Sequence, residues 1–274
     1  MIPRFSSGRV YEDGSDSARG SDTVATVRML DIAVSGAYRR GLKGTGRIAR
    51  LFYADKPSRS VPTKLRDLRW EADPLDWMDQ QVLITGDYEP EITNALIEAL
   101  RPDDTFWDVG ANSGVHALLI KSALPTVRVV AFEPSPVQFA RLKRNALTNQ
   151  LDIDAYCIAL ADTRGYQRLN MVGVGNSGHN SLRPWRDVSY EASFPCWCDT
   201  GDALIAAGVA APDVLKVDVE GAEHAVFAGM PQALASARSV VFESGSAPTE
   251  LAGMTPRHLP STGGGQDWIA QREP

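Results

Sequence analysis

Apolar residues recur at helical spacing in EPEITNALIEALRP, where Ile92, Leu96, Ile97 and Leu100 share one face before Pro102 ends the pattern. TFWDV (105–109) follows as a short apolar run stopped by Gly110, which reads as a buried strand. GVHALLIKSAL (114–124) returns to helical spacing and closes at Pro125. VRVVAFE (127–133) is β-branched and strand-like, and SPVQFARLKRNALTNQ (135–150) is helical, with Pro136 suited to a first turn. IDAYCIALA (153–161) reads as a third strand and DVLKVDV (213–219) as another, followed by a helix through GAEHAVFAGMPQALASA. SVVFES (239–244) is the last readable strand. Strands alternating with helices predict an α/β fold, a Rossmann-like and mostly parallel sheet with helices on both faces. Loops leaving the strand C-termini then gather along one edge, where ligands bind.

The flanks read differently. Residues 1–22 are rich in Ser, Gly, Asp and Arg with little to bury, so they are expected to be disordered. Residues 23–85 form an N-terminal extension expected to be mainly helical, on the spacing of Val24, Val27, Leu30, Ile32, Ala33 and Ala37. Pro57, Pro62 and Pro74 interrupt any long helix in it. The Rossmann-like domain, expected to hold the cofactor discussed below, spans 86–243. Residues 244–274 show scattered Gly and Pro without an alternating apolar run, and read as an irregular tail. Such a tail leaves the last strand with an uncovered edge, which a homodimer would cover.

A length of 274 residues suits one domain plus an extension. The net charge of -6 argues against a nucleic-acid partner, because phosphate binding needs concentrated positive charge. Arg141, Lys143 and Arg144 read as the solvated face of a helix. Cys157, Cys196 and Cys198 make a poor zinc pattern, since a C-x-C pair lacks a second pair. So few thiols suit a reducing cytoplasm. No long apolar run predicts a membrane span, and the N-terminus lacks the apolar region of a secretory signal.

Candidate chemistry centres on DVGANSG, Asp108 to Gly114, between the first strand and its helix. Gly110 and Gly114 leave room for a ligand against the backbone. Glu133, at the end of the second strand, is placed to accept hydrogen bonds from both hydroxyls of an adenosine ribose. The middle glycine of the dinucleotide pattern G-x-G-x-x-G is missing, so S-adenosylmethionine (SAM), which has no pyrophosphate, is favoured over NAD. Asp108 would meet the ammonium of the methionine part. The plainer alternative makes Asp108 a strand-end cap and Glu133 a solvated carboxylate.

DVGANSGVHALLIKSAL, VVAFEPSPVQFARLKRNALTNQ, IALADTRG and DVLKVDVEGAEHAVFAGM together resemble an FkbM-type SAM-dependent methyltransferase. The likeness runs from about Gly86 to Glu243, and TGDYEPEI is similar to the family's lead-in segment. The resemblance implies a class I methyltransferase that methylates oxygen on a natural product or sugar. It implies that Asp108, Gly110, Asn112 and Gly114 line the methionine part of SAM, that Glu133 holds the ribose, and that Asp162 contacts the adenine. The alternative for Asp162 is a turn residue with Thr163, Arg164 and Gly165.

Methyl transfer asks the protein to align the acceptor, exclude water and remove a proton. KVDVEGAE (216–223) brings Asp218, Glu220 and Glu223 to one strand end. Asp218 and Glu220 are the first choices for orienting the acceptor or accepting its proton; Glu223 would favour its helix dipole. The alternative is a capping and salt-bridge cluster. His116 is a further candidate base, or else a packed helix residue. His179 lies in VGVGNSGHNSL (172–182), which would be a lid or a plain crossover. Asp218, Glu220 and Asp202 would offer oxygens to a metal, but nothing in the spacing demands one, so the reading is metal-independent. CDTGDALIAAG departs from the family's T-L-D-x-L, with Gly201 at the apolar place. Two alternative functions remain: a catalytically impaired SAM-binding protein with an altered C-terminus, and a nicotinamide oxidoreductase.

Overall fold

The computed structural model describes residues 61–172, 176–184, 188–245, 248–251, 253–260 and 266–272, together with Ala33. The stretch 1–22 and most of 23–60 thus lie outside the described residues. The described part of the extension opens with a hairpin, β1 (Val61–Leu65) antiparallel to β2 (Leu68–Ala72). This corrects the mainly helical expectation over 61–72. β2 alternates buried and exposed positions, and its charged residues take the exposed ones. α1 (Trp77–Thr85) is helical, with Asp76 as its cap.

α2 (Pro90–Ala99) leads into the alternating core: β3 (Thr105–Val109), α3 (Val115–Ala123), β4 (Arg128–Phe132), α4 (Pro136–Thr148) and β5 (Asp154–Tyr156). β3 is buried at every position, which is why Phe106, Trp107 and Val109 are apolar on both faces and Asp108 is a buried charge. The expected third strand divides at Cys157–Ile158. β5 stays in the main sheet, whereas β6 (Ala159–Leu160) joins β7 (Gly165–Val172) and β8 (Tyr190–Asp199) in a separate three-stranded sheet of order β6-β8-β7.

α5 (Gly201–Ala206) is capped by Thr200, whose Oγ1 accepts the Ala203 N–H at 3.1 Å. Thr200→Ala is expected to cost about 1 kcal/mol, read as a lower urea midpoint at unchanged slope. An unmoved midpoint would mean that water replaces the cap.

β9 (Val214–Val217), α6 (Glu223–Ala228), α7 (Pro231–Ser236) and β10 (Ser239–Glu243) complete the parallel part. The single helix expected after β9 is two, broken at Gly229. A Cβ there would overlap the Ala161 carbonyl oxygen, so the turn passes hard against the end of β6.

The tail is ordered where it is described. β11 (Thr255–His258) and β12 (Asp267–Gln271) form an antiparallel hairpin, and the main sheet runs β11-β12-β10-β9-β3-β4-β5. β12 pairs along the whole of β10, so the expected irregular tail and uncovered edge are corrected. Arg272 then pins the hairpin, with Nε donating to the Ala237 carbonyl at 3.0 Å and Nη2 to that of Leu234 at 2.9 Å. β11 escaped the sequence pattern because all four of its residues are exposed.

Side chains alternate across the sheet. Phe106, Val129 and Ala131 pack toward α2, α3 and α4. Trp107, Val130, Phe132, Leu215 and Phe242 pack with Val226, Phe227 and Leu234 of the last two helices. Buried Asp79 ties the extension to this body: it accepts from Trp70 Nε1 at 2.9 Å and ion-pairs with Arg141 of α4.

Candidate functional site

The turn after β3 is fixed by backbone. The Gly110 and Ala111 N–H groups both donate to the Phe132 carbonyl at 3.0 Å. Gly110 has φ +82°, and a Cβ there would overlap the Asp218 carbonyl oxygen. Asn112, at φ 50°, donates its N–H to Glu133 Oε2 at 2.8 Å, while Ser135 N–H reaches Glu133 Oε1 at 2.7 Å. Each oxygen of Glu133 thus keeps a lone pair for a ligand. Burial pushes this carboxyl up to about 7, against the pull of the two N–H groups.

Gly114 has a different duty from the one expected. A Cβ there would come 2.7 Å from Leu118 Cδ1 and 2.9 Å from Leu142 Cγ, so its bareness serves the packing of α3 on α4. It does not line the cleft. Asp108 is likewise below the turn. Its Oδ2 accepts the Ala117 N–H at 3.1 Å, and Lys216 Nζ stands 3.9 Å from Oδ1. Burial raises its carboxyl, partly offset by Lys216.

Lys216 is buried and pairs with Asp218 Oδ2 at 2.9 Å. Burial works against its charge, but Asp218 and Asp108 more than offset this and raise the ammonium. Glu220 takes φ 56°, and its carbonyl accepts from Ser181 Oγ at 2.6 Å. Burial, then Asp218, pushes its carboxyl up to about 9. Glu223 turns its Oε1 to the Val219 and Gly221 N–H groups at 3.2 and 3.0 Å, which makes it the clamp of this loop.

Two cavities meet here. A cleft of about 560 Å³, open solvent at its mouth included, is lined by Glu133, Ile158, Leu160, Leu169 and Leu182 among others. A wider cavity of about 1330 Å³, open to solvent, is lined by Trp77, Tyr88, Glu89, His116, Lys216 and Glu243 among others. Gly110, Asn112, Gly178, Asp218 and Glu220 belong to both walls. Asn176–Asn180 roofs the junction: Ser177 N–H donates to Asp76 Oδ2 at 2.7 Å, and Asn112 Nδ2 to Ser177 Oγ at 3.3 Å. His179 faces the wider cavity, its Nδ1 3.1 Å from Asn176 Nδ2.

His116 is buried under that cavity, with Nδ1 3.1 Å from Thr93 Oγ1 and Nε2 3.1 Å from Glu89 Oε2. Glu89 is the N-cap residue of α2 at φ 44° and ψ 58°, with no side-chain capping bond. Such a conformation costs of order 1–3 kcal/mol in a residue with a side chain.

The structure therefore brings Gly110, Asn112, Glu133, Asp218, Glu220 and His116 to the cavity walls. Asp162 is exposed, accepts from Thr163 Oγ1 at 3.3 Å, and lies outside the lining of both cavities, as a turn residue would. Asp202 caps α7 by accepting the Gln232 N–H at 3.0 Å. Glu243 takes its place beside Asp218 and Glu220, one oxygen of each lying within 4.8 Å of the others. Sequence reasoning missed Glu89 and Glu243. Glu243 ends a parallel strand just as Glu133 does, so the same strand-end rule finds it.

A model described as the methyltransferase FkbM domain matches residues 108–261. The hexuronic acid methyltransferase AglP of Haloferax volcanii is 33% identical over 156 residues, covering 57% of this chain and 62% of that protein. The 31-O-demethyl-FK506 methyltransferase FkbM of Streptomyces tacrolimicus is 33% identical over 164 residues, 49% of this chain and 62% of its own. The 2-O-methyltransferase NoeI of Sinorhizobium fredii is 24% identical over 163 residues, covering 52% and 64%. The chain thus spans less than two thirds of the length of these relatives.

Proposed function

The chain belongs to the family of the methyltransferase FkbM domain, and from that premise we propose that it methylates a hydroxyl of a sugar or other small natural product, with SAM as donor. The observation that carries this is the meeting of a narrow cleft and a wide cavity across one shared wall, Gly110, Asn112, Asp218 and Glu220. The cleft's residues fit the donor. Ile158, Leu160 and Leu169 offer an apolar wall to a flat ring, and Glu133 has lone pairs left for two ribose hydroxyls. Gly110 and Asn112 present backbone to the methionine part. When bound, SAM supplies a methyl group already activated on a sulfonium.

In this reading the acceptor occupies the wider cavity, and Asp218 and Glu220 orient it at the junction. Trp77 and Met78 extend the acceptor wall from the extension, which gives residues 61–85 a functional part. Two relatives are named for oxygen positions, which supports oxygen as the accepting atom. The net charge of -6 fits a small acceptor better than a nucleic acid. Among the described residues no helix is long and apolar enough to cross a membrane, and the free thiols Cys157, Cys196 and Cys198 suit a reducing cytoplasm. The completed sheet edge takes away the ground for an impaired SAM-binding remnant.

The test is calorimetry with S-adenosylhomocysteine (SAH) and an NAD control, followed by tritium transfer from labelled SAM to a panel of methyl glycosides. SAH binding and a labelled glycoside are the expected results. A folded protein that takes up no SAH overturns the reading.

A further inference from the structure

Glu89 and Glu220 both line the wide cavity at a positive φ, 44° and 56°, a conformation that a glutamate rarely takes. Glycine, Asn or Asp would adopt φ 44° with less strain, and Ser or Asp would cap α2 better. Instead a glutamate stands there and turns its carboxylate to His116 at 3.1 Å and to the Tyr88 hydroxyl. Strain held at a cavity wall points to use of the side chain.

The hydrogen bonds of His116 decide what it can do. A carboxylate only accepts, so Nε2 carries a proton, and in the neutral ring Nδ1 then accepts from the Thr93 hydroxyl. Neither ring nitrogen keeps a lone pair for a substrate hydroxyl. The His116 side chain is also 6% exposed, against 25% for Glu89. The carboxylate, not the imidazole, reaches the cavity. Asp218 gives one oxygen to the full positive charge of the Lys216 ammonium at 2.9 Å, whereas Glu89 is met by the His116 ring and the Tyr88 hydroxyl. Glu220, pushed up to about 9, carries a proton at neutral pH and suits donation.

We propose that Glu89 is the catalytic proton acceptor for the substrate hydroxyl and that His116, backed by Thr93, is the positioning residue that aims it. The assignment rests on the methyltransferase reading above. As the acceptor oxygen bonds to the methyl carbon, the carbon–sulfur bond breaks with its electron pair passing to sulfur, and the hydroxyl proton passes to the Glu89 carboxylate. Solvent at the cavity mouth then removes it.

The test begins with long-range proton–nitrogen correlation on protein carrying labelled histidine, free and saturated with SAH, with the His116→Gln spectrum assigning the signal. The expected result is the Nε2–H tautomer in both states, giving way to a mixture in Glu89→Ala. An Nδ1–H tautomer in the unaltered protein overturns the proposal, because Nε2 would then be open to take the proton itself. On the glycoside labelled fastest in the panel, Glu89→Gln is expected to lower kcat about a hundredfold at unchanged SAH affinity. Glu89→Asp restores part of the loss, and His116→Asn shows a loss of about tenfold. Full kcat in Glu89→Gln, with SAH still bound, sinks the assignment and leaves the methyltransferase reading standing. Failure of the unaltered protein to bind SAH removes that reading instead.

Discussion

Gly110→Ala is expected to lose about 4 kcal/mol of stability or more, at the extreme of what single substitutions do. A positive φ of 82° alone makes alanine pay roughly 1–2 kcal/mol. The larger part is steric, since the new methyl group would overlap the Asp218 carbonyl oxygen. Neither side has room to retreat. Asp218 N–H donates to the Val109 carbonyl at 3.0 Å, continuing the β3–β9 ladder in which Val109 faces Val217. On the other flank the Gly110 N–H is held by the Phe132 carbonyl. Moving the turn breaks one ladder or the other in a close-packed interior. A thermal melt checks this, with a fall of roughly ten degrees expected at this chain size. Gly208→Ala is the control: φ is +100°, but no heavy atom lies within 4 Å of the added Cβ. It should show the conformational cost alone. Equal losses in the two variants would remove the steric explanation.

Glu133→Ala is expected to weaken SAH binding several hundredfold, about 3–4 kcal/mol, the worth of two hydrogen bonds from hydroxyls to a charged group. The pH dependence separates this from general damage. Burial raises the Glu133 carboxyl from 4.5 to about 7, so between those values the folded protein holds a proton that the unfolded chain has released. Stability from this group is therefore fully present below about 4.5 and is lost as pH rises through about 7, amounting to about 3 kcal/mol. Ligand binding runs the other way. Ribose hydroxyls donate best to the ionised form, so SAH affinity should climb up to about pH 7 and then level off. Glu133→Gln, which cannot ionise, should give a flat profile. Calorimetry on either side of pH 7 reads both, and an affinity that falls with rising pH would contradict ribose binding by this carboxylate.

Much of this arrangement was legible in the sequence, for a physical reason. β3, β4, β9 and β10 are buried inside the main sheet, so their runs are mostly apolar, broken by Asp108 and Lys216, and Gly110, Glu133, Asp218 and Glu220 stand at the strand ends on the cavity walls. β7 and β8 carry no such run because most of their positions are half-exposed or exposed. The division of IDAYCIALA had no glycine or proline to mark it. Gly114 and Asp108 were assigned to the ligand because their motif is shared, whereas the fold uses one for helix packing and the other beneath the turn. Asp162 came from resemblance alone and stands outside the cleft. Glu89 was within a quoted motif, but what singles it out is a dihedral angle and a contact 27 residues away in the chain, neither of which a residue pattern contains.

The position of β12 sets a schedule for the ribosome. Residues 239–243 of β10 leave the ribosome before residues 267–271 of β12, so β10 waits for its partner on one side. Chains grow at roughly 5–20 residues per second, so every nascent copy leaves one flank of the five-residue β10 unpaired for a second or more before its partner emerges. A pause between codons 244 and 266 would lengthen that window, and two neighbouring nascent chains on one message could then pair through β10 instead.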